Sequence, residues 1–216
     1  MNMNLFLLSL CKKACADHIC NKHLIKMILE TTQMAYSVQQ GNGDEEYVAI
    51  FKKELLLDGL IMYKMTHAKH PLNLWARYKK KHYDWMVLYG LELCRVYTTR
   101  YKKIHKCEAH LNKLKEKGFV ACKMDVEIPE KGAKAYKNIP EEFEYFPMCF
   151  GDELDHCLVR ENGCILGVAS YREYYMSKLK KMKMVWWPEE EPEWFERKFD
   201  LMPVLKKIKK KRKRVA

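Results

Sequence analysis

His23, Lys26 and Glu30 stand at i, i+3 and i+7. Seven residues make nearly two turns of an α-helix, so the histidine and the glutamate project in one direction with the lysine beside them. An imidazole, an ammonium and a carboxylate thus share one helix edge, a constellation able to carry chemistry. The same spacing also describes a solvated face with an ordinary helical ion pair. Cys11, Cys15, His18, Cys20 and His23 form C-x3-C-x2-H-x-C-x2-H, with enough soft donors for a tetrahedral zinc but not at a standard finger spacing. His105, Cys107 and His110 are further candidates. Thiols and imidazoles scattered through a helical protein are more often packed than metallated, so the expectation is no metal and no cofactor.

A second constellation is basic and aromatic. Tyr97, Arg100, Tyr101, Lys102, Lys103 and Lys106, with Arg95 just before them, interleave the groups by which proteins stack bases and hold phosphates. The alternative is core tyrosines beside solvated lysines. Eight lysines and arginines crowd the nine residues from Lys206 to Arg214, Lys206, Lys207, Arg212 and Arg214 among them, and without those eight the formal charge of +12 falls to +4. Such a run attracts polyanions by counterion release and reads equally as a nuclear-import address or a solvated tail. Trp186, Trp187 and Trp194, set among prolines and Glu189-Glu190-Glu191, are expected to cap the core rather than to touch a base. P-loop, dinucleotide fingerprint, nucleophile elbow and His-Glu-x-x-His patterns do not occur, which leaves those enzyme classes without support.

The elements that would position these groups are mostly helices. Leu24, Met27, Ile28, Thr31, Met34, Ala35 and Val38 share one face of a helix starting near Asn21, and Gly41-Asn42-Gly43-Asp44 stops it. Tyr47–Tyr63 is apolar enough to be a second helix or paired strands, a choice periodicity does not decide, and the helix is the expectation. After His70-Pro71, residues 72–113 read as one or two long helices with Val87, Leu91, Cys94, Tyr97, Tyr101 and Ile104 on the apolar side. From Gly118 to Gly167 the periodicity fades and prolines punctuate a long loop region, in which Cys164-Ile165-Leu166-Gly167 is the best buried piece. A last helix over 168–182 carries Tyr171, Tyr175, Leu179 and Met182 inside, ringed by Arg172, Lys178, Lys180, Lys181 and Lys183. The predicted fold is mainly α: a compact single-domain helical bundle over 1–203 with a short extended N-terminal arm at Asn4–Leu10, then a basic tail over 204–216.

With 216 residues, 48% hydrophobic, and nine glycines and seven prolines, the chain can bury a core and is neither disordered nor collagen-like. Nine cysteines at irregular spacing favour reduced thiols. Leu5–Leu10 is too short for a bilayer span, and Lys12-Lys13 break it as a secretion signal. The expected setting is intracellular, whether nucleus, viral factory or virion, and the expected partner is nucleic acid, duplex DNA above all, with no membrane.

Met3-Asn4-Leu5-Phe6-Leu7-Leu8-Ser9, His23-Leu24 with Glu30, and Lys81-His82-Tyr83-Asp84 leading into a basic helix resemble the phage pyrimidine-dimer DNA glycosylases of the endonuclease V type. Trp186-Trp187 after a basic helix is similar to that family's aromatic ending, and the chain also looks like proteins of phages and large DNA viruses. The resemblance implies an all-helical domain that flips a nucleotide from duplex DNA and attacks its sugar with the N-terminal amine, here that of Met1. Glu30 matches the family's catalytic glutamate, and His23, Lys26, Arg95, Arg100, Lys102 and Lys103 would hold DNA. An α-amine suits this role, since its ordinary pKa of about 7.7–8.0 leaves it partly neutral at pH 7. The sequence departs from the family in two places. Met1-Asn2 stands where the family exposes a threonine amine, and Leu29 and Gln33 stand where it flanks the glutamate with arginines. A base-excision-type glycosylase with apurinic lyase activity is therefore the leading expectation, and a non-catalytic nucleic-acid-binding or virion packaging protein the alternative.

Overall fold

The computed structural model describes residues 4–122 and 136–195, so Met1 and the basic tail from Lys206 to Arg214 lie outside the described residues. All seven apolar positions read from the first helical pattern are buried on α2 (Asn21–Asn42). Gly43 takes extended backbone and ends the helix, and the Asp44 carboxylate accepts the Tyr47 N–H at 2.9 Å to cap α3 (Glu45–Leu57). The expectation of a helix reaching Tyr63 needs correcting. The chain leaves the helix at Asp58-Gly59, where Gly59 adopts φ +69°, a left-handed conformation open to glycine. A short α1 (Lys12–Asp17) precedes α2, and Cys15 and Ala16 form its buried side.

Three helices replace the one or two expected after Pro71. They are α4 (Pro71–Tyr78), with its proline at the first turn, α5 (Lys80–Tyr101) and α6 (Cys107–Lys117). Lys102 stops α5 in a left-handed conformation, φ 54°. Ile104 therefore falls past the helix end and is exposed, not part of an apolar face.

The pair α2 and α5 forms the centre, and α5 also packs against α1, α4 and α6. Gly90 of α5 makes this closeness possible, because a Cβ there would lie 3.0 Å from both Thr31 of α2 and Leu111 of α6. Gln39 ties the far end together. Its amide donates to Tyr83 Oη (2.6 Å) and to the Gly118 carbonyl (2.7 Å), and its carbonyl accepts the Tyr47 hydroxyl (2.6 Å). With all its polar atoms paired, a buried amide is tolerated and fixes the register of three helices.

Residues 136–195 form the rest of the described structure. β3 (Cys164–Leu166) lies between β1 (Tyr136–Lys137), parallel to it, and β2 (Arg160–Glu161), antiparallel to it, with Tyr136 and Arg160 both opposite Ile165. Asn162 and Gly163, both at positive φ, form the tight turn between β2 and β3. Ile165 is buried as expected, but the larger anchor of this region is the segment 143–146, whose Phe143 and Phe146 pack against Trp75 and Trp85 while Trp75 Nε1 donates to the Tyr145 carbonyl at 2.7 Å. The last helix, α7 (Gly167–Ser177), is shorter than the predicted 168–182 and tightens into a 3-10 turn over Lys178–Lys180. Tyr171 and Tyr175 are fully buried, whereas Leu179 and Met182 are half-buried. The protein is mainly α, and arm, helices and the 143–195 segment share one apolar core.

Candidate active site

The N-terminal arm is the element that gives the site its shape. Leu5, Leu7 and Leu8 are fully buried, so the arm threads through the core instead of lying on it. Its backbone is tied on several sides: the Cys15 thiol donates to the Phe6 carbonyl (3.1 Å), Arg172 Nε donates to the Leu8 carbonyl (2.9 Å), and the Asn4 side-chain amide donates to the Cys149 carbonyl (3.1 Å). Burial pushes the Cys15 thiol up to about 11, so this cysteine stays a neutral hydrogen-bonding group.

Glu30 meets the start of this arm. The Asn4 N–H donates to Glu30 Oε2 at 3.2 Å, and Lys26 Nζ lies 3.3 Å from Oε1. The carboxylate is 7% exposed, and burial raises its pKa although Lys26 and the Asn4 N–H both favour the charged form. A carboxylate moved toward neutral pH is better matched to taking up and returning a proton than a fully solvated one.

His23 is held as a neutral ring. It stacks on Phe6 with ring centroids 5.2 Å apart, and its Nδ1 lies 3.0 Å from Tyr175 Oη. The Tyr175 oxygen also accepts the Cys20 N–H at 3.0 Å, so the histidine ring and the start of α2 meet at one hydroxyl. Burial, reinforced by the charges of Lys178, Lys26 and Lys22, takes its pKa down to about 4. His23 therefore contributes a polar wall and no positive charge.

Two hollows flank Lys26. One, of about 410 Å³, is lined by Asn4, Phe6, His23, Lys26, Tyr174 and Lys178 among others. The other, an open groove of about 840 Å³, is lined by Lys26, Glu30, Gln33, Tyr97, Lys103 and Lys106 among others. The structure thus gathers His23, Lys26, Glu30 and Lys103 about one region beside the arm. Lys102 is exposed at the end of α5. Arg95 is exposed as well and pairs with Asp17 and Glu92.

Arg100 departs from the expectation of a phosphate contact. It is 3% exposed, donates to the Ile19 and Asp17 carbonyls and to Asn21 Oδ1, and pairs with Glu189. Its guanidinium serves as a clamp between α5, the α1–α2 turn and the C-terminal segment. The tryptophans divide. Trp186 is buried with its Nε1 donating to the His18 carbonyl (2.8 Å), Trp194 Nε1 reaches His18 Nδ1 (3.1 Å), and Trp187 is 68% exposed and caps nothing. Of the soft-ligand group, Cys15, His18 and His23 are engaged in these bonds, and no cluster of three His, Cys, Asp or Glu side chains suited to a metal occurs among the described residues. No helix among them is long and apolar enough to cross a membrane.

Sequence reasoning missed Asn4, Phe6, Tyr174 and Lys178 as parts of this region. The signal that could have found the last two is their i, i+4 spacing, which puts a lysine over a tyrosine on one helix face. No curated protein and no solved structure matches the chain. Residues 3–109, just under half of the chain, match the family model described as pyrimidine dimer DNA glycosylase, and that match supports, at the level of the family, a glycosylase type of function on a DNA substrate. The matched stretch holds the arm, α2 with Glu30, and α5, and over it the chain resembles the pyrimidine dimer DNA glycosylases.

Proposed function

We propose that the protein is a base-excision-type DNA glycosylase with apurinic lyase activity, acting on duplex DNA through an N-terminal amine with Glu30 as proton carrier. The observation that carries this reading is the hydrogen bond from the Asn4 N–H to Glu30. Met1 stands three residues before Asn4 in the sequence. A neutral amine attacks C1′ of the flipped nucleotide, the glycosidic bond breaks, and the base leaves with its electron pair and a proton. Ring opening yields an imine between the amine and C1′. Removal of a C2′ proton by the Glu30 carboxylate then expels the 3′ phosphate by β-elimination, and water hydrolyses the imine. Lys26, His23, Lys102, Lys103 and Arg95 are proposed to hold the duplex, with the basic tail adding affinity. Arg100 is left out, because its guanidinium is already committed within the fold.

The test is borohydride trapping on a duplex with one abasic site, with peptide mapping of the adduct. The intact chain should carry an adduct on its N-terminal peptide, and an N-terminal extension should abolish that adduct. Folded protein that binds the duplex yet gives no adduct overturns the enzyme reading and leaves a non-catalytic nucleic-acid-binding or packaging protein.

A further inference from the structure

Lys178 begins the 3-10 turn that follows α7, outside the stretch similar to the glycosylases, and lines the same 410 Å³ cavity as His23, Lys26 and Asn4. Its ammonium end is fixed by aromatic groups. Nζ lies 4.2 Å from the Tyr174 ring centroid, 5.3 Å from that of Phe6, and 3.1 Å from Tyr174 Oη. The chain is thus half-buried and pinned where a solvated lysine would wander. Lys26 and Lys181 line the cavity beside it, with Glu153 as the acidic side chain of the lining. Burial, together with the charges of Lys26 and Lys181, lowers the pKa of Lys178, and the charge of Glu30 opposes this without cancelling it. A lysine with those neighbours holds more neutral amine at pH 7 than a free one, and neutral amine is what adds to a carbonyl. The cations around it are suited to a phosphate on the same ligand.

We propose that Lys178 is a second imine-forming amine of this cavity, whose substrate class is an aldehyde flanked by phosphate, as in the ring-opened sugar of an abasic site. Nζ adds to C1′ of the aldehyde, the carbonyl π electrons move to oxygen, and proton transfer from nitrogen to oxygen gives a carbinolamine. The new hydroxyl takes a proton from solvent and leaves as water, and the nitrogen lone pair closes an iminium between Nζ and C1′. Abstraction of a C2′ proton by the carboxylate of Glu153, the acid that lines this cavity, breaks the C3′–O bond, whose electron pair departs on the phosphate, and hydrolysis restores the free lysine. No oxidant or reductant is required. The choice of an abasic sugar rests on the glycosylase and lyase reading above.

The experiment uses the full chain, an abasic-site duplex and borohydride, with adducts mapped by peptide mass, for the unaltered protein, Lys178→Arg and Lys183→Met. Arginine keeps the charge and the stacking over Tyr174 but does not form the imine, so a purely structural lysine would give the same map in both proteins. The expected result is an adduct on the peptide carrying Lys178, absent in Lys178→Arg at unchanged duplex affinity and retained in Lys183→Met. An adduct on the N-terminal peptide alone overturns the role of Lys178 while the lyase reading stands. No adduct at either amine overturns both.

Discussion

At the scale of single residues, the candidate site is a carboxylate whose two oxygens are already occupied. Glu30 accepts from the arm backbone and pairs with Lys26, while burial works to protonate it. Glu30→Gln keeps an acceptor for the Asn4 N–H and removes the proton carrier. It should therefore bind an abasic duplex with little change and lower single-turnover strand cleavage by about 10²- to 10⁴-fold. Cleavage at the unaltered rate would dismiss Glu30 from the chemistry. Lys26→Met tests the same carboxylate from the other side. The Lys26 ammonium lowers the Glu30 pKa, so its loss lets that pKa rise further, and a rate that depends on the carboxylate should lose its acid limb at a higher pH. A pH–rate profile with an unmoved acid limb would mean that some other group titrates there. His23 is a poor candidate for that group, since its pKa near 4 leaves it neutral through the physiological range.

At the scale of elements, the joints between helices carry groups that titrate or clamp. His82 of α5 is fully buried, stacks on Trp75 of α4 at 4.6 Å with planes 10° apart, and donates from Nδ1 to the Trp75 carbonyl at 2.8 Å. Burial takes its pKa from 6.5 to about 4. The folded state thus prefers the neutral ring, and the stability this gives is complete above the unfolded pKa and is lost as pH falls from 6.5 through 4. At about 1.4 kcal/mol per pH unit between those values, the loss amounts to about 3 kcal/mol. Urea unfolding at pH 7 and pH 4.5 should show it, and His82→Phe, which keeps the stacking, should flatten the difference. An equal acid loss in His82→Phe would place the titration elsewhere. The Arg100 clamp is a second such joint: Arg100→Met leaves Glu189 and two carbonyls without their donor, and should lower thermal stability by about 3–5 kcal/mol. A loss below about 1 kcal/mol would show the clamp to be dispensable. These joints also show what the sequence disclosed. The face of α2 and its stop at Gly43-Asp44 were legible, because a 3.6-residue period and a capping aspartate act locally, and His23, Lys26 and Glu30 share an edge for the same reason. Arg100 looked like a DNA contact because its partners, Asp17, Ile19 and Glu189, are some 80 to 90 residues away in sequence, which no local pattern reveals. Phe143 and Phe146 were lost in a proline-punctuated stretch, since a segment pinned by a few aromatic rings and one hydrogen bond from Trp75 shows no period.

At the scale of the whole molecule, the two sources of DNA affinity proposed above are separable by charge and by position. The groove beside Glu30 offers lysines at fixed points on a packed scaffold, Lys26, Lys103 and Lys106 among them. The stretch from Lys206 to Arg214 offers eight charges in nine residues, and without it the formal charge of +12 falls to +4. Charges that act by neutralising phosphates release counterions, each contact adding about 0.9 to the slope of log K against log salt. They carry no information about which nucleotide is damaged. Truncation before Val204 should therefore weaken binding to any duplex, most at about 50 mM salt and least at about 200 mM, and should reduce the salt slope by several units. The ratio of affinities for abasic and undamaged duplex, measured at one salt concentration by fluorescence anisotropy, should stay within about threefold, because the groups that meet the lesion remain in place. If discrimination disappears together with the tail, the helix edge at His23, Lys26 and Glu30 is not where the lesion is read. If the slope is unchanged by truncation, the phosphates are met by the lysines of the folded part, and the tail contributes nothing to the complex.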